Sequence, residues 1–334
     1  MESEDQLISW LKERLNRTGV EDRIGDDAAV LPAGGPWVTT MDTQIEGVHF
    51  RSGLDPSILA RRLWAVNASD IAAMGADPCH AFLSLSAPQN FDRKRFFEAF
   101  LEACGPSGTE LAGGDLSSHP SICVVLTLIG RSDSGRRFLR RDEARPGHDL
   151  WLGDTSLGES ALGLEWVLRG ASLDTSDHQV IGLPRMAPAA QETCERSVRR
   201  HLLPEPQLGL GRLLSKRTRG AAMDISDGLS KDLHRLCRAS GVGAVVHLDR
   251  LVEPQGWSEI RHLLGKDAPR WLDLALGGGE DYILCFTLPT GEPPPSDFSC
   301  LKIGSIRAVK EIVAVDRDGA SAPLPVSGWD HLSP

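Results

Sequence analysis

Six aspartates stand beside glycine, hydroxyl or apolar residues along the chain: Asp26, Asp42, Asp70, Asp115, Asp224 and Asp227. Their surroundings place them at the ends of strands and in tight turns, where α/β proteins gather ligands. One aspartate in such a place is ordinarily a cap or a turn residue. A set of them is different, because carboxylates brought together repel one another unless cations lie between them. Donors that are all oxygen suit a hard cation such as Mg2+, which keeps part of its water shell and bridges to phosphate oxygens. Two glycine runs point the same way: Gly113-Gly114 precedes Asp115, and Gly277-Gly278-Gly279 precedes Glu280. Glycine lets a backbone approach a phosphate closely, although each run also reads as an ordinary tight turn. The sequence holds neither a Gly-x-x-x-x-Gly-Lys-Ser/Thr loop nor the protein-kinase signature set, so any nucleotide needs another cradle.

Three further features have a chemical and a bland reading. The cluster Arg136-Arg137-Phe138-Leu139-Arg140-Arg141 could grip phosphate in bidentate fashion, or be a solvated face. His49, between Val48 and Phe50, could touch a substrate or be a satisfied structural histidine. Trp329, in a Gly-Trp loop, could cover a ligand or pack in a core.

Composition narrows the function classes. At 334 residues, with 41% hydrophobic residues, the chain suggests about two domains, each with a buried core. Acids outnumber bases 46 to 36, a formal charge of −10, which argues against a general nucleic-acid binder. The seven cysteines are scattered with no Cys-x-x-Cys pair, as expected of reduced thiols in the cytoplasm. The acidic start Met1-Glu2-Ser3-Glu4-Asp5 lacks a signal peptide's apolar run, and no stretch is long enough to span a bilayer, so no membrane partner is expected.

The elements that must position these residues follow from periodicity and punctuation. Leu7, Ile8, Leu11 and Leu15 mark a helix ending near Gly19, and Trp37 to Asp42 reads as a strand ending in an acid. Ser69 reads as the cap of a helix with Asp70 in its first turn, broken at Gly75 and Pro78. Its small residues, Ala72, Ala73 and Gly75, would let another backbone or a ligand come close. A strand over 81–87, a helix over 91–103, a tight glycine turn over 111–115 and a buried strand over 122–130 complete the first half. The turn at Ala144-Arg145-Pro146-Gly147 sets the boundary between domains 1–145 and 146–334. The second half reads as strand 150–152, helix 159–168, and a connection over 170–190 with few regular signals. Two helical stretches flank Pro204. The strand before Asp224 then runs into a helix to about Ala239, and strands follow over 242–248 and 283–288. Pro293-Pro294-Pro295 reads as an exposed linker before a tail of two short strands. Both halves carry a Ser-Asp pair at a strand-to-helix junction, Ser69-Asp70 and Ser226-Asp227, which leaves open two halves of similar design.

Several motifs occur in one order over nearly the whole chain. They are Gly25-Asp26-Asp27-Ala28-Ala29-Val30, Asp42 with Glu46-Gly47-Val48-His49-Phe50, and Asn67-x-Ser69-Asp70-Ile71-Ala72-Ala73-Met74-Gly75. Gly113-Gly114-Asp115, Asp224-Ile225-Ser226-Asp227-Gly228-Leu229, Gly279-Glu280-Asp281-Tyr282 and Gly328-Trp329-Asp330-His331 complete the series. In this combination the chain resembles the thiamine-monophosphate kinases, within the superfamily of aminoimidazole-ribonucleotide synthetase-like ATP enzymes. The resemblance implies an α/β (α+β) two-domain fold whose N-terminal sheet pairs across a homodimer. It also implies ATP-dependent phosphorylation of thiamine phosphate to thiamine diphosphate. By the same resemblance Asp26, Thr40, Asp42, Asp70, Asp115, Asp224 and Asp227 would hold Mg2+ ions, with Met41 joining through its backbone carbonyl. Asp26, Phe97, Gly114, Asp115, Arg141 and Ser226 would contact ATP, and His49, Glu280 and Trp329 would contact thiamine phosphate. Asp70, Asp115 and Asp224 would carry the catalytic weight. Phe97 and Leu116 depart from the residues usual at their positions, and Asp142-Glu143 and Leu332 do likewise.

Such an activity needs no strong general base, because the acceptor phosphate is already largely ionised near neutral pH. The expected course is direct in-line transfer, with several Mg2+ ions offsetting the repulsion between two anions. Two other readings differ in what they require. A selenophosphate synthetase or hydrogenase-maturation relative would carry a cysteine near its N-terminus or at its C-terminus, whereas the first here is Cys79 and the chain ends His331-Leu332-Ser333-Pro334. A non-catalytic binding protein on the same scaffold would be expected to lose motif acids, and all are present.

Overall fold

The computed structural model describes residues 29–31, 36–132, 136–217 and 220–329. The helix expected over Leu7 to Leu15, and residues Asp26, Asp330 and His331, lie outside them. Two sheets organise the rest, as the α/β expectation requires. The first has the order β1-β2-β5-β3-β4, formed by β1 (Ala29–Leu31), β2 (Trp37–Ile45), β3 (Asp77–Ala87), β4 (Glu110–Ser118) and β5 (Cys123–Arg131). Alternation along β5 turns Val124, Leu126 and Leu128 to one face, where they are fully buried. Helices α1 (Pro56–Ala73) and α2 (Arg93–Cys104) cover that face, packing Leu59, Leu63, Phe96 and Phe100 into one core with it.

The second sheet has the order β14-β13-β10-β12-β6-β11-β9. Its strands are β6 (His148–Leu152), β9 (Ala222–Asp224), β10 (Gly243–His247), β11 (Leu284–Pro289), β12 (Leu301–Arg307), β13 (Ile312–Val315) and β14 (Ser321–Pro323). Its core includes residues of helices α3 (Glu159–Leu168), α4 (Pro188–Leu202), α6 (Leu229–Ser240), α7 (Trp257–Leu264) and α8 (Trp271–Gly277). A separate apolar cluster joins the two halves: Ala72 and Ala73 of α1, Leu210 and Leu214 of α5 (Leu208–Leu214), and Ala222, Leu284 and Phe286 of the second sheet.

Helix α1 therefore lies between the sheets, and its small residues are what allow it. A Cβ at Gly211 of α5 would stand 2.0 Å from the carbonyl oxygen of Ala72. The close approach read from Ala72, Ala73 and Gly75 is met by another backbone. Gly211→Ala is expected to push α5 off α1 and to destabilise the protein by about 1–3 kcal/mol. Urea titration of the two proteins side by side measures it, and an unchanged midpoint would show that the helices can separate freely.

Four sequence expectations are corrected. Ser69 and Asp70 do not open a helix: α1 begins at Pro56, where Asp55 accepts the Ser57 amide at 2.9 Å, so Ser69 and Asp70 stand near its far end. Pro56 at the first position is the start signal, and the buried run after it carries few polar markers. The Ser-Asp pairs accordingly do not occupy equivalent junctions. Leu111 to Asp115 is part of strand β4, paired in parallel with β3, not a turn. A Cβ at Gly114 would fall 1.8 Å from the Leu83 carbonyl oxygen, so this glycine admits a neighbouring strand. The connection over 170–190 contains a short pair of strands, β7 (Ser172–Leu173) with β8 (Val180–Ile181), and the start of α4. The tail after the prolines holds three strands, because the last pairing edge of β13 accepts β14, and Pro295 is buried, not exposed.

Candidate active site

Between the two sheets lies a cavity of about 320 Å3. One stripe of α1 faces the residues that form it. Arg62, Val66, Ser69 and Asp70 recur at the spacing that brings helical side chains to one side. Thr40 of β2 donates to the Asp70 carboxylate at 2.5 Å, and Ser69 donates to Asp224, at the end of β9, at 2.6 Å. Asn67 accepts the backbone amide of Asp42 at 3.2 Å. A single helix end thus ties the acids of the first sheet to those of the second.

The loop carrying Ser226 and Asp227 is shaped from behind by Asp232 in the first turn of α6. Its buried carboxylate accepts the amides of Ser226, Asp227 and Gly228 at 3.0, 3.0 and 3.2 Å. Asp227 in turn meets Arg235 at 2.7 Å and Lys231 at 3.2 Å. Lys231 also donates to the Trp329 carbonyl, and the Trp329 amide donates to the Asp227 carbonyl at 3.0 Å. These bonds seat the Gly328-Trp329 loop at the cavity rim, with Trp329 55% exposed.

The opposite wall comes from Gly278 to Tyr282 and from the loop after β2. Glu280 and Tyr282 hold positive φ angles of 57° and 50°, a conformation that side chains rarely adopt and that often marks a functional site. Asp281 between them is buried and accepts the Gly158 and Ser160 amides at 2.8 and 3.2 Å, anchoring the loop to the start of α3. His49 accepts the Ile45 amide on Nδ1 at 3.0 Å, which places the proton of the neutral ring on Nε2. Glu46 of the same motif is structural: it accepts the Ile122 amide, and this bond holds its carboxyl below the ordinary range.

Burial pushes the Asp281 carboxyl up to about 7, against the pull of the two amides. From about pH 4 to 7 the folded chain then keeps a proton that the unfolded chain has released. This contribution to stability is present at acid pH and lost as pH rises through that window. Asp281→Asn removes the titration, so relative to wild type it is expected to gain about 1–4 kcal/mol between pH 5 and pH 8. Paired thermal melts at the two pH values measure it, and a pH-independent difference would contradict it.

Asp42, Asp70, Asp224, Asp227, Ser226, His49, Glu280 and Trp329 all line this one cavity. Thr40 joins through its bond to Asp70. The others lie elsewhere in the chain. Asp115 shares a sheet row with Ser84, Val125 and Thr43, whereas Asp42 shares one with the buried Leu126 and Leu83. Asp115 and the exposed Met41 therefore face away from α1, and Gly114 sits on the same outer strand. Phe97 packs edge-on against Phe96 at 5.4 Å. The half-buried Arg141 has its carbonyl bound by Ser240 at 2.8 Å. The arginines before it are paired with acids: Arg136 with Asp77, Arg137 with Glu143, and Arg140 with Asp142.

Sequence reasoning missed Arg62, Lys231, Asp232, Arg235, His201 and Tyr282. Arg62 was findable, since it precedes Asp70 by two turns on the same side of the helix. Lys231, Asp232 and Arg235 follow Asp227 within eight residues on α6 and Tyr282 closes the Glu280 motif, whereas His201 reaches the site by a chain crossing that periodicity does not reveal.

The acids fit a hard divalent cation. Among the described residues no three carboxylate, imidazole or thiolate groups close into a ready metal centre. The protein mass around Asp42, and secondarily the Asp227 carboxylate, push the Asp42 carboxyl up to about 7. A cation between them would relieve that strain.

Residues 25–132 match the family described as AIR synthase related protein, N-terminal domain. The chain is 34% identical over 333 residues to the thiamine-monophosphate kinase of Salmonella typhimurium, covering 96% of this chain and 94% of that one. It is 30% identical to that of Bacillus subtilis, over 99% of this chain and all of the other. A solved structure described as AaThiL complexed with AMPPCP and TMP superimposes with a TM-score of 0.82 at 29% identity, covering 99% of this chain and 97% of that one. On this similarity over nearly its full length, the chain belongs to the thiamine-monophosphate kinase family.

Proposed function

We propose that the protein transfers the terminal phosphoryl group of ATP to thiamine phosphate, forming thiamine diphosphate and ADP. The observation that carries this reading is the convergence of Asp42, Asp70, Asp224 and Asp227 from both sheets on one cavity. A relative's structure with AMPPCP and TMP bound supports it.

The residues divide the work. Asp42, Asp70, Asp224 and Asp227, with Thr40, would hold several Mg2+ ions in the cavity; Asp26 and Asp115 join the ligand set on the family resemblance alone, and Asp115 stands on the outer face of the first sheet, away from this cavity. Bound there, the ions would neutralise the facing phosphates and the charge growing on the leaving group. Phe97, Gly114, Asp115, Arg141 and Ser226 would engage ATP. His49, Glu280 and Trp329, which line the same cavity, would hold thiamine phosphate, whose thiazolium cation suits the Glu280 carboxylate and the indole face. No side chain need carry the phosphoryl group, since the acceptor oxygen is already anionic. Transfer is then direct and in line.

The division at residue 145 belongs to this proposal, with residues 1–145 forming the ATP and dimerisation domain and residues 146–334 completing the site. The outer face of the first sheet exposes Met41, Ile45 and Phe82, and a second copy of the chain would cover them in a homodimer. A cytoplasmic location belongs to the same proposal, in keeping with seven scattered cysteines and no Cys-x-x-Cys pair. None of the described helices is long and apolar enough to cross a membrane.

The experiment compares acceptors. ADP release from ATP and Mg2+ is followed with thiamine phosphate, thiamine or a simple phosphomonoester, and with γ-labelled ATP to look for labelled protein. Release with thiamine phosphate alone, and no label on the protein, is the expected result. Equal release with the simple phosphomonoester would defeat the substrate assignment, and a chemically competent labelled side chain would defeat direct transfer.

A further inference from the structure

Arg62 is the largest fully buried side chain among the described residues, 1% exposed in the middle of α1. Its guanidinium meets three other elements. It donates to the Glu280 carboxylate and to the His201 carbonyl at the end of α4, and Nε reaches Gln44 of β2 at 3.4 Å. Glu280 and His201 line the cavity. Arg62 stands behind that wall. Glu280 holds its positive φ with this guanidinium on one carboxylate oxygen and His201 Nδ1 at 3.4 Å from the other. Eight residues along the same helix, Asp70 stands at the acid end of the cavity.

A buried arginine without its carboxylate partner is strongly unfavourable, so a pairing this deep constrains both partners. The planar fork of arginine also fixes direction as well as charge, which a lysine ammonium does not. We propose that Arg62 is a positioning residue for the substrate wall: it aims the Glu280 carboxylate into the cavity and, through α1, fixes its distance from the acids at Asp70. This rests on the assignment of Glu280 to thiamine phosphate. The thiazolium cation of that substrate is what a carboxylate held at a set place would read, and ATP carries no such cation.

His201 reports on the arrangement independently of substrate. It faces Arg62 and Glu280, with Ser160 Oγ at 3.4 Å. Burial first, and then Arg62, hold its pKa down at about 4, opposed by Glu280. Removing the guanidinium removes one of the two depressing influences.

The test uses the full chain as wild type, Arg62→Met, Arg62→Lys, Glu280→Gln and the double variant Arg62→Met/Glu280→Gln. Arg62→Met is expected to raise KM for thiamine phosphate at least tenfold, with KM for ATP within twofold, and to move the His201 imidazole pKa upward by NMR. Arg62→Lys should recover part of the loss. The double variant should bind thiamine phosphate no more than twofold worse than Glu280→Gln, because Arg62 acts through that carboxylate. Should Arg62→Met fail to fold, the comparison of Glu280→Gln with the charge-free double variant decides. A double variant more than fivefold worse than Glu280→Gln would overturn the proposal, and so would equal changes in both KM values. Failure of the wild type to turn over thiamine phosphate would instead defeat the function assigned above, and the His201 titration would still test the placement of Arg62.

Discussion

Asp70→Asn is expected to lower turnover by about 10³-fold, the scale on which loss of one fixed electrostatic group acts in a water-poor site. The change is isosteric. Thr40 can still bond the amide oxygen, and Ser69 and Asn67 keep their own partners, Asp224 and the Asp42 amide. The fold should therefore survive, with a melting temperature near that of wild type. What is lost is a negative charge between the acids of the first sheet and Asp224 and Asp227. The variant should need more Mg2+ for half-maximal rate, while KM for thiamine phosphate changes little, since Glu280 and His49 are untouched. Steady-state kinetics over a Mg2+ titration gives all three quantities. A variant with wild-type turnover would remove Asp70 from the chemistry and leave it as a link between β2 and α1.

Asp232→Ala is expected to destabilise the protein by about 3–5 kcal/mol and to abolish activity well below its unfolding temperature. Three amides, of Ser226, Asp227 and Gly228, lose their acceptor together, and Arg235 loses one of its two carboxylates at 3.1 Å. Asp227 would keep its charge but not its place, and the Trp329 loop hangs on the Asp227 carbonyl. Asp232→Asn retains an oxygen for the amides and should recover much of the stability. Denaturant titrations of the pair, with activity at low temperature, separate the contributions. Equal stability of Asp232→Ala and wild type would mean the loop is held by other means.

Sequence and structure part company at identifiable places. The strand and helix boundaries with clear periodicity were legible: the helix over Glu159–Leu168 is found as expected, and the strand expected over 122–130 is found as Cys123–Arg131. Of the six aspartates singled out in the sequence, Asp42, Asp70, Asp224 and Asp227 line one cavity, Asp115 faces away from it, and Asp26 lies outside the described residues. The setting of Asp70 was misread. Ser69 looks like a cap, but its hydroxyl is used sideways on a residue from another sheet, and no local pattern encodes that. Gly113-Gly114 looked like a turn because glycine is a turn residue by habit. Here it admits a neighbouring strand, and the register that decides the matter belongs to β3. Arg62 and Asp232 were overlooked for a similar reason. Arg62 acts on a loop distant in sequence and Asp232 on the turn just before its own helix, and a charged residue in a helix reads first as a solvated one. The phosphate-binding reading of the arginine cluster met acids in its own surroundings, Asp77, Glu143 and Asp142.

The most direct measurement is product analysis. The purified protein is incubated with ATP, thiamine phosphate and Mg2+, with Mn2+ and Ca2+ in parallel, and the products are separated by chromatography. Thiamine diphosphate and ADP should appear in equal amounts, and only with a divalent cation present. ATP consumed without thiamine diphosphate, or no turnover with any of the three cations, would contradict the assignment of this cavity to phosphoryl transfer onto thiamine phosphate.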